Sequence, residues 1–241
     1  FRSATPMAQA LANQIKDRPV IYSAVTDPVA ADLVESMDKG GPNVTGTSDM
    51  TPVREQLDLL CSLKPSIKRI GNIYASGEAN SVALAEIVRE YCQEHGLEYV
   101  ESTITNSSEA RQALLSIAGR IDGLYLGNDN TVFSALSGIA EVGIDKKIPI
   151  VTADPSSAET IPVLAAVGYD YYRMGLATGK IVVRILNGEK TSDIPAFLSK
   201  ENEDMTFVLN LDTARKIGIS VDQSIIDRAK VVISDDQLVR K

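Results

Sequence analysis

The stretch GLYLGNDNTVFSAL, residues 123–136, decides how this sequence folds. A short apolar run, Leu124-Tyr125-Leu126, stops at Gly127 and gives way to Asn128-Asp129-Asn130-Thr131. Val132, Phe133 and Leu136 follow with the spacing of one helix face. Such a run reads as a buried strand that delivers polar side chains to its carboxyl end, at the mouth of a helix. In an open parallel α/β sheet, ligands bind at that edge.

The pattern recurs along the chain. A β-branched run over 20–25 ends in Thr26-Asp27-Pro28, and a helix is expected over 29–37. Residues 44–47 form the next strand, ending Ser48-Asp49, after which Pro52 opens a helix to about Leu63. The strand at 70–75 ends Ser76-Gly77-Glu78 ahead of an amphipathic helix over 79–94. A strand at 97–104 precedes a helix at 107–118, and the strand at 124–126 precedes a helix at 131–142. Residues 149–152 end in Asp154-Pro155-Ser156-Ser157, and 163–167 is a further short strand. A long helix spans 170–186, closed by Asn187-Gly188. Strands at 205–209 and 231–233 flank a helix at 212–217.

Strand and helix alternate throughout, so the fold class is α/β with mainly parallel sheets. The strands are too many for one sheet, and a break near Lys64-Pro65 with a recrossing by the long helix divides the chain into two lobes. The expected partition is residues 1–64 with about 162–196, against 65–161 with about 197–241. Phe1 to Ala4 reads as the tail of a strand, and FRSATP lacks a charged-then-apolar leader, so part of the N-terminal lobe is expected to precede this sequence.

Composition removes several functions. The 241 residues carry a net charge of −8 with no basic cluster, which argues against a nucleic-acid partner. No apolar run reaches the ~18 residues of a membrane helix. The single histidine, His95, precedes Gly96 at a helix end, where it reads as a C-terminal cap. Without a second histidine there is no Ser-His-Asp or Cys-His arrangement, and no phosphate-binding glycine motif occurs. Cys61 and Cys92 sit in helical patterns as free thiols, with no metal-ligand spacing. Binding without catalysis, cofactor or metal is the expectation.

The strand ends supply that binding chemistry. Taken singly, Asp, Asn, Ser and Thr at these places are good helix N-caps. Taken together, Thr26, Asp27, Ser48, Asp49, Glu78, Asn80, Ser81, Asn128, Asp129, Asn130 and Asp154 line one edge of two sheets, as an interlobe cleft requires. The glycine-containing start of the helix at Ala79, and Thr5 at the head of the first helix, suit an anion. Asp27, Asp129, Asp154 and Asp170 are acceptors for an ammonium. Anion and cation subsites together point to a zwitterion such as a free amino acid, although a polyol would use the same groups. Tyr169, Tyr171 and Tyr172 cluster in a chain with 5% aromatics and no tryptophan, positioned either to stack on a ligand or to pack at a hinge.

The blocks IYSAVTDPVAADLVES, GPNVTGTSDMTPVREQLDLL, KRIGNIYASGEANSVALAE, GLYLGNDNTVFSAL, IPIVTADPSSAE and AAVGYDYYRMGLATGKIVVRILNGE resemble, in that order, ABC transporter substrate-binding proteins of the type I periplasmic-binding fold. The branch is the one that includes tryptophan- and phenylalanine-binding lipoproteins, and the match runs over nearly the whole chain. The resemblance implies an extracytoplasmic two-lobe receptor, monomeric, that delivers an amino acid to a membrane permease. It implies cleft residues at the ATPMAQ, VTDP, GEANS, DNT and DPSS segments: Thr5, Gln9, Thr26, Asp27, Glu78, Asn80, Ser81, Asn128, Asn130, Asp129 and Asp154, with Tyr169 and Asp170 added. Thr160-Ile161-Pro162 departs from the family, many of whose members have a glycine-containing turn there. A sensory or regulatory module of the same fold, or a sugar or nucleoside binder, is the alternative.

Overall fold

The computed structural model describes residues 4–198 and 205–241. The strand tail expected at Phe1 falls on residues outside that range, apart from Ala4. From the N-terminus the described chain forms α1 (Thr5–Gln14), β1 (Val20–Val25), β2 (Val44–Ser48) and α2 (Val53–Leu63). There follow β3 (Arg69–Ala75), α3 (Ala79–Glu94), β4 (Glu98–Ile104), α4 (Ala110–Ile117), β5 (Gly123–Leu126), α5 (Asn130–Phe133) and α6 (Leu136–Asp145). Next come β6 (Ile150–Thr152), α7 (Pro155–Ala158), β7 (Ala165–Tyr169), α8 (Tyr171–Leu186) and β8 (Phe197–Leu198). The chain closes with β9 (Met205–Asn210), α9 (Leu211–Ile217), α10 (Gln223–Arg228), β10 (Val231–Ser234) and β11 (Gln237–Arg240).

Two sheets result. The small one has the order β1-β2-β8 and is parallel. The large one runs β11-β10-β9-β7-β6-β5-β3-β4, parallel except where β9 meets β7 and β10 meets β11. Strand β5 is an interior strand of this sheet, every residue of it buried, and it pairs with β3 and β6. A strand covered on both faces reads as a continuous apolar run, which is why Leu124, Tyr125 and Leu126 show no alternation. Leu114, Leu136 and Ile139 pack one face of this sheet. Leu57, Leu60, Val88 and Ile217 pack the other. Each such side chain withdrawn from water contributes roughly 1.5–3 kcal/mol.

The α/β class and the two-lobe periplasmic-binding architecture hold, but the chain changes sheet at other places than expected. Helix α2 packs on the large-sheet core through Leu57 and Leu60, so the first passage lies at 49–52, before the helix, instead of at Lys64-Pro65. Strand β7 pairs with β6 and β9 in the large sheet, so the return falls at Asp170 and not near residue 162. Helix α8 then docks on β1 and β2 by burying Met174 and Ile181 and by bonding Thr178 Oγ1 to Ser23 Oγ and Thr47 Oγ1, each at 2.8 Å.

Three local expectations are corrected. Residues 29–37 make turns and no helix: Asp27 caps Val29 and Ala30, and Asp32 takes φ of 55°, a left-handed value that ends helical propagation. The helix expected over 131–142 is broken at Ser134 and Ala135, where Ser134 Oγ donates to the Thr131 carbonyl (2.7 Å). Strand β11 was not expected. It forms through a tight turn in which Asp235 and Asp236 both have positive φ, and the Asp212 carboxylate accepts their N–H groups at 2.8 and 2.9 Å. His95 does close α3, its ring stacked on Tyr91 at 4.0 Å. Cys61 and Cys92 are free.

Candidate functional site

The carboxyl ends of the two sheets face each other across a cavity of about 530 Å³. The small sheet contributes Ser23, Ala24, Thr26 and Asp49, and the head of α1 adds Thr5. The large sheet contributes Asn80, Asn128, Asp129, Asn130, Asp154 and Tyr169. Asp170, Tyr171 and Tyr172 enter where the chain passes back to the small sheet, and Glu159 with Arg240 forms part of the rim. Thus Thr5, Thr26, Asn80, Asn128, Asp129, Asn130, Asp154, Tyr169 and Asp170 line one cavity, from its two facing walls.

Gln9, Asp27, Glu78 and Ser81 do not line it. Gln9 Nε2 donates to the Ala31 carbonyl at 3.1 Å, fastening α1 to the turns that follow β1. Asp27 Oδ1 accepts from the N–H groups of Val29 (3.0 Å) and Ala30 (2.9 Å). The Glu78 carboxylate accepts from Asn130 N and Nδ2 (3.2 and 2.6 Å) and from Thr131 N and Oγ1 (3.0 and 2.7 Å). It therefore supports Asn130 from behind. Ser81 Oγ accepts from Asn80 Nδ2 at 3.3 Å.

Several lining carboxylates are occupied as helix caps. Asp129 Oδ1 accepts from Val132 N (2.7 Å) while Oδ2 accepts from Ala75 N (2.6 Å), tying the ends of β5 and β3 together. Asp154 Oδ1 caps Ser156 N at 3.0 Å, and its two oxygens also take the Ser156 and Ser157 hydroxyls. Asp170 Oδ1 accepts from Tyr172 N and Arg173 N at the start of α8. Of the five helices that reach the cavity, α5, α7 and α8 are thus capped by their own aspartates, whereas α1 and α3 have no side-chain cap. Anion-attracting N–H groups belong to the last two.

The opposite character is concentrated at Asn80, Asn128 and Asp49. Asn80 Nδ2 donates to the Asn128 carbonyl (2.7 Å), leaving Asn80 Oδ1 buried without a partner, and Asn128 Oδ1 is in the same state. Native proteins seldom leave such buried acceptors unpaired. Asn128 Nδ2 reaches across to the small sheet, bonding the carbonyl and Oδ2 of Asp49 at 3.2 Å each. Burial pushes the Asp49 carboxyl up to about 6, against the bonds from Thr26 and Tyr171, and the charge of Asp154 pushes the same way. Burial raises Asp129 as well. Burial also opposes the ionised form of Glu78, but the bonds from Thr131 and Asn130 win and hold it low.

The strand-end grammar included Asp49, yet only the structure separates it from its neighbours as a lining carboxylate without a helix to cap. Phe133 was legible as part of a helix face, not as a wall. Arg240 had no signal, because the strand carrying it was not expected.

This geometry is that of a solute receptor, and the chain belongs to the ABC transporter substrate binding protein family, whose model matches residues 2–233. A tyrosine-binding protein of Clostridioides difficile (strain R20291) is 37% identical over 236 residues, which are 98% of this chain and 67% of that protein. An ABC domain from Streptococcus pneumonia, solved in complex with L-Trp, is 34% identical with a TM-score of 0.89, covering 95% of this chain and 77% of that one. A substrate-binding protein with adhesive properties from Clostridium difficile, solved in a ligand-free, open form, is 38% identical with a TM-score of 0.68, covering 91% and 73%.

Proposed function

We propose that this chain is the solute-binding component of an ABC importer and that its two lobes close around one free amino acid with an aromatic side chain. The observation that carries the reading is the polarity of the cavity. Asp49, with Asn128 bonded to it, suits an ammonium, while the uncapped head of α1 suits a carboxylate. Phe133, Tyr171 and Tyr172 offer ring faces for an apolar side chain, and 530 Å³ lies within the ordinary range of small-molecule sites. The named ligands of the relatives, tyrosine and L-Trp, are amino acids of this kind. The higher TM-score to the L-Trp complex than to the open form supports a closed arrangement of the lobes here. A permease is the partner this role requires, and outside the cytoplasm is where it works.

A thermal-shift panel of amino acids, sugars and nucleosides tests the proposal. A ligand at ~100 times its Kd stabilises by ~2.7 kcal/mol, a shift of several degrees. L-Tyrosine, L-tryptophan or L-phenylalanine is expected to give it. A shift with sugars or nucleosides alone rejects the amino acid. Asp154→Ala and Asn80→Ala are expected to reduce the shift, and an unchanged response in both places the ligand elsewhere.

A further inference from the structure

Asp49 differs from every other carboxylate in the cavity. It is 3% exposed and its oxygens meet only neutral donors: Thr26 Oγ1 at 3.0 Å on Oδ1, and Asn128 Nδ2 and Tyr171 OH at 3.2 Å each on Oδ2. The other titratable groups of the lining deepen its need for a cation. Asp154 repels it, and the carboxyl groups of Asp129 and Asp170 and the phenol of Tyr171 are the other titratable groups nearby on the lining, none of them a cation. Arg240, the one cationic side chain on the lining among the described residues, is held at the rim by both oxygens of Glu159 (2.9 and 2.7 Å). A buried carboxylate without a counter-charge is unfavourable, and the usual relief is a proton or a cation.

Its place in the chain adds a second role. Asp49 is the first residue after β2, where the chain leaves the small sheet, and Tyr171 opens α8, which returns to it. Asn128 lies in the turn that follows β5 of the large sheet. The three side chains therefore join both described passages to the facing lobe.

We propose that Asp49 is the counter-charge of the ligand's ammonium group and, through Asn128 and Tyr171, the residue that couples ligand entry to lobe closure. This rests on the amino-acid reading above. Where Asp49 is protonated in the ligand-free protein, the arriving ammonium displaces the carboxyl proton to solvent and forms an ion pair with the carboxylate. Binding and proton release are then linked in the region around pH 6.

Titration calorimetry with L-tyrosine and L-tryptophan from pH 5 to 8, in buffers of different ionisation heat, counts those protons. The wild-type protein is expected to release close to one proton per ligand at pH 5 and none at pH 8. Affinity is expected to fall by about tenfold per pH unit well below the Asp49 transition. Asp49→Asn is expected to bind at least ~tenfold more weakly at pH 7.5 and to lose the pH dependence. Its ligand-free form should nevertheless melt above wild type at pH 7.5. The native Asp49 value lies above its unfolded one, so the ionised carboxylate weakens the fold at high pH, and the variant's advantage shrinks as pH drops below about 6. Wild-type binding without proton release overturns the proposal, as does an Asp49→Asn protein with wild-type affinity and slope. If neither amino acid binds wild type at pH 7.5, the amino-acid reading itself fails, and this inference with it. The wild-type proton count decides even if the variant does not fold.

Discussion

At the residue scale, the cleft separates side chains that face the ligand space from those that hold them in place. Glu78 belongs to the second kind, although its sequence neighbours Asn80 and Ser81 made it look like the first. The four bonds that it accepts from Asn130 and Thr131 fix the turn that carries them. Glu78→Gln keeps the shape but replaces an acceptor with a donor facing other donors, at a cost of about 1–3 kcal/mol. The native Glu78 value lies below the ordinary 4.5, so its stabilisation is complete above that value and is lost as pH falls through the lower native one. Melting curves of Glu78→Gln and wild type should differ at pH 7 and converge toward pH 3. Asp27, off the lining, likewise spends Oδ1 on backbone N–H groups, and Asp129, on the lining, spends both oxygens so. A sequence shows a polar residue ahead of a helix in both cases, because capping and ligand binding call for the same side chains.

At the scale of elements, the approach of β7 to the turn after β6 sets the position of Asp154. A Cβ on Gly168 would stand 2.1 Å from the Ala153 carbonyl oxygen and 2.8 Å from Pro155 Cδ. The first of these is backbone and cannot rotate away. Gly168→Ala must therefore displace the 153–155 turn, and an overpacking cost of about 1–3 kcal/mol is expected in chemical denaturation. Ligand affinity should fall with it, since Asp154 lies on that turn. Most elements were legible because their apolar runs and caps are local signals: β3, α3, β5 and α8 lie where the pattern puts them. Residues 29–37 were not, because a positive φ at Asp32 overrides a plausible helical spacing. Strand β11 was hidden for a related reason. Its turn uses Asp235-Asp236 in place of a glycine-containing pair, and the support comes from Asp212, 23 residues away in sequence.

Across the whole molecule, the bonds from Asn128 Nδ2 to Asp49 bridge the two sheets among the described residues. Asn128→Ala removes both bonds and leaves Asp49 with Thr26 and Tyr171. Small-angle scattering of the ligand-free variant is expected to give a larger radius of gyration than wild type, and saturating L-tyrosine should contract it less completely. An unchanged radius would mean that other contacts hold the lobes together. Alternation of strand and helix, apolar runs with polar ends and the family blocks were all determined by the sequence alone, since each is a local pattern of side chains. Only the tertiary structure decided which sheet α2 and β7 join, because that choice turns on pairing and packing between residues far apart in the chain. It also decided which aspartate has no helix to cap. Asp129, Asp154 and Asp170 find helix N–H groups to cap, and Asp49, at a passage between lobes, finds only neutral side chains and the cavity.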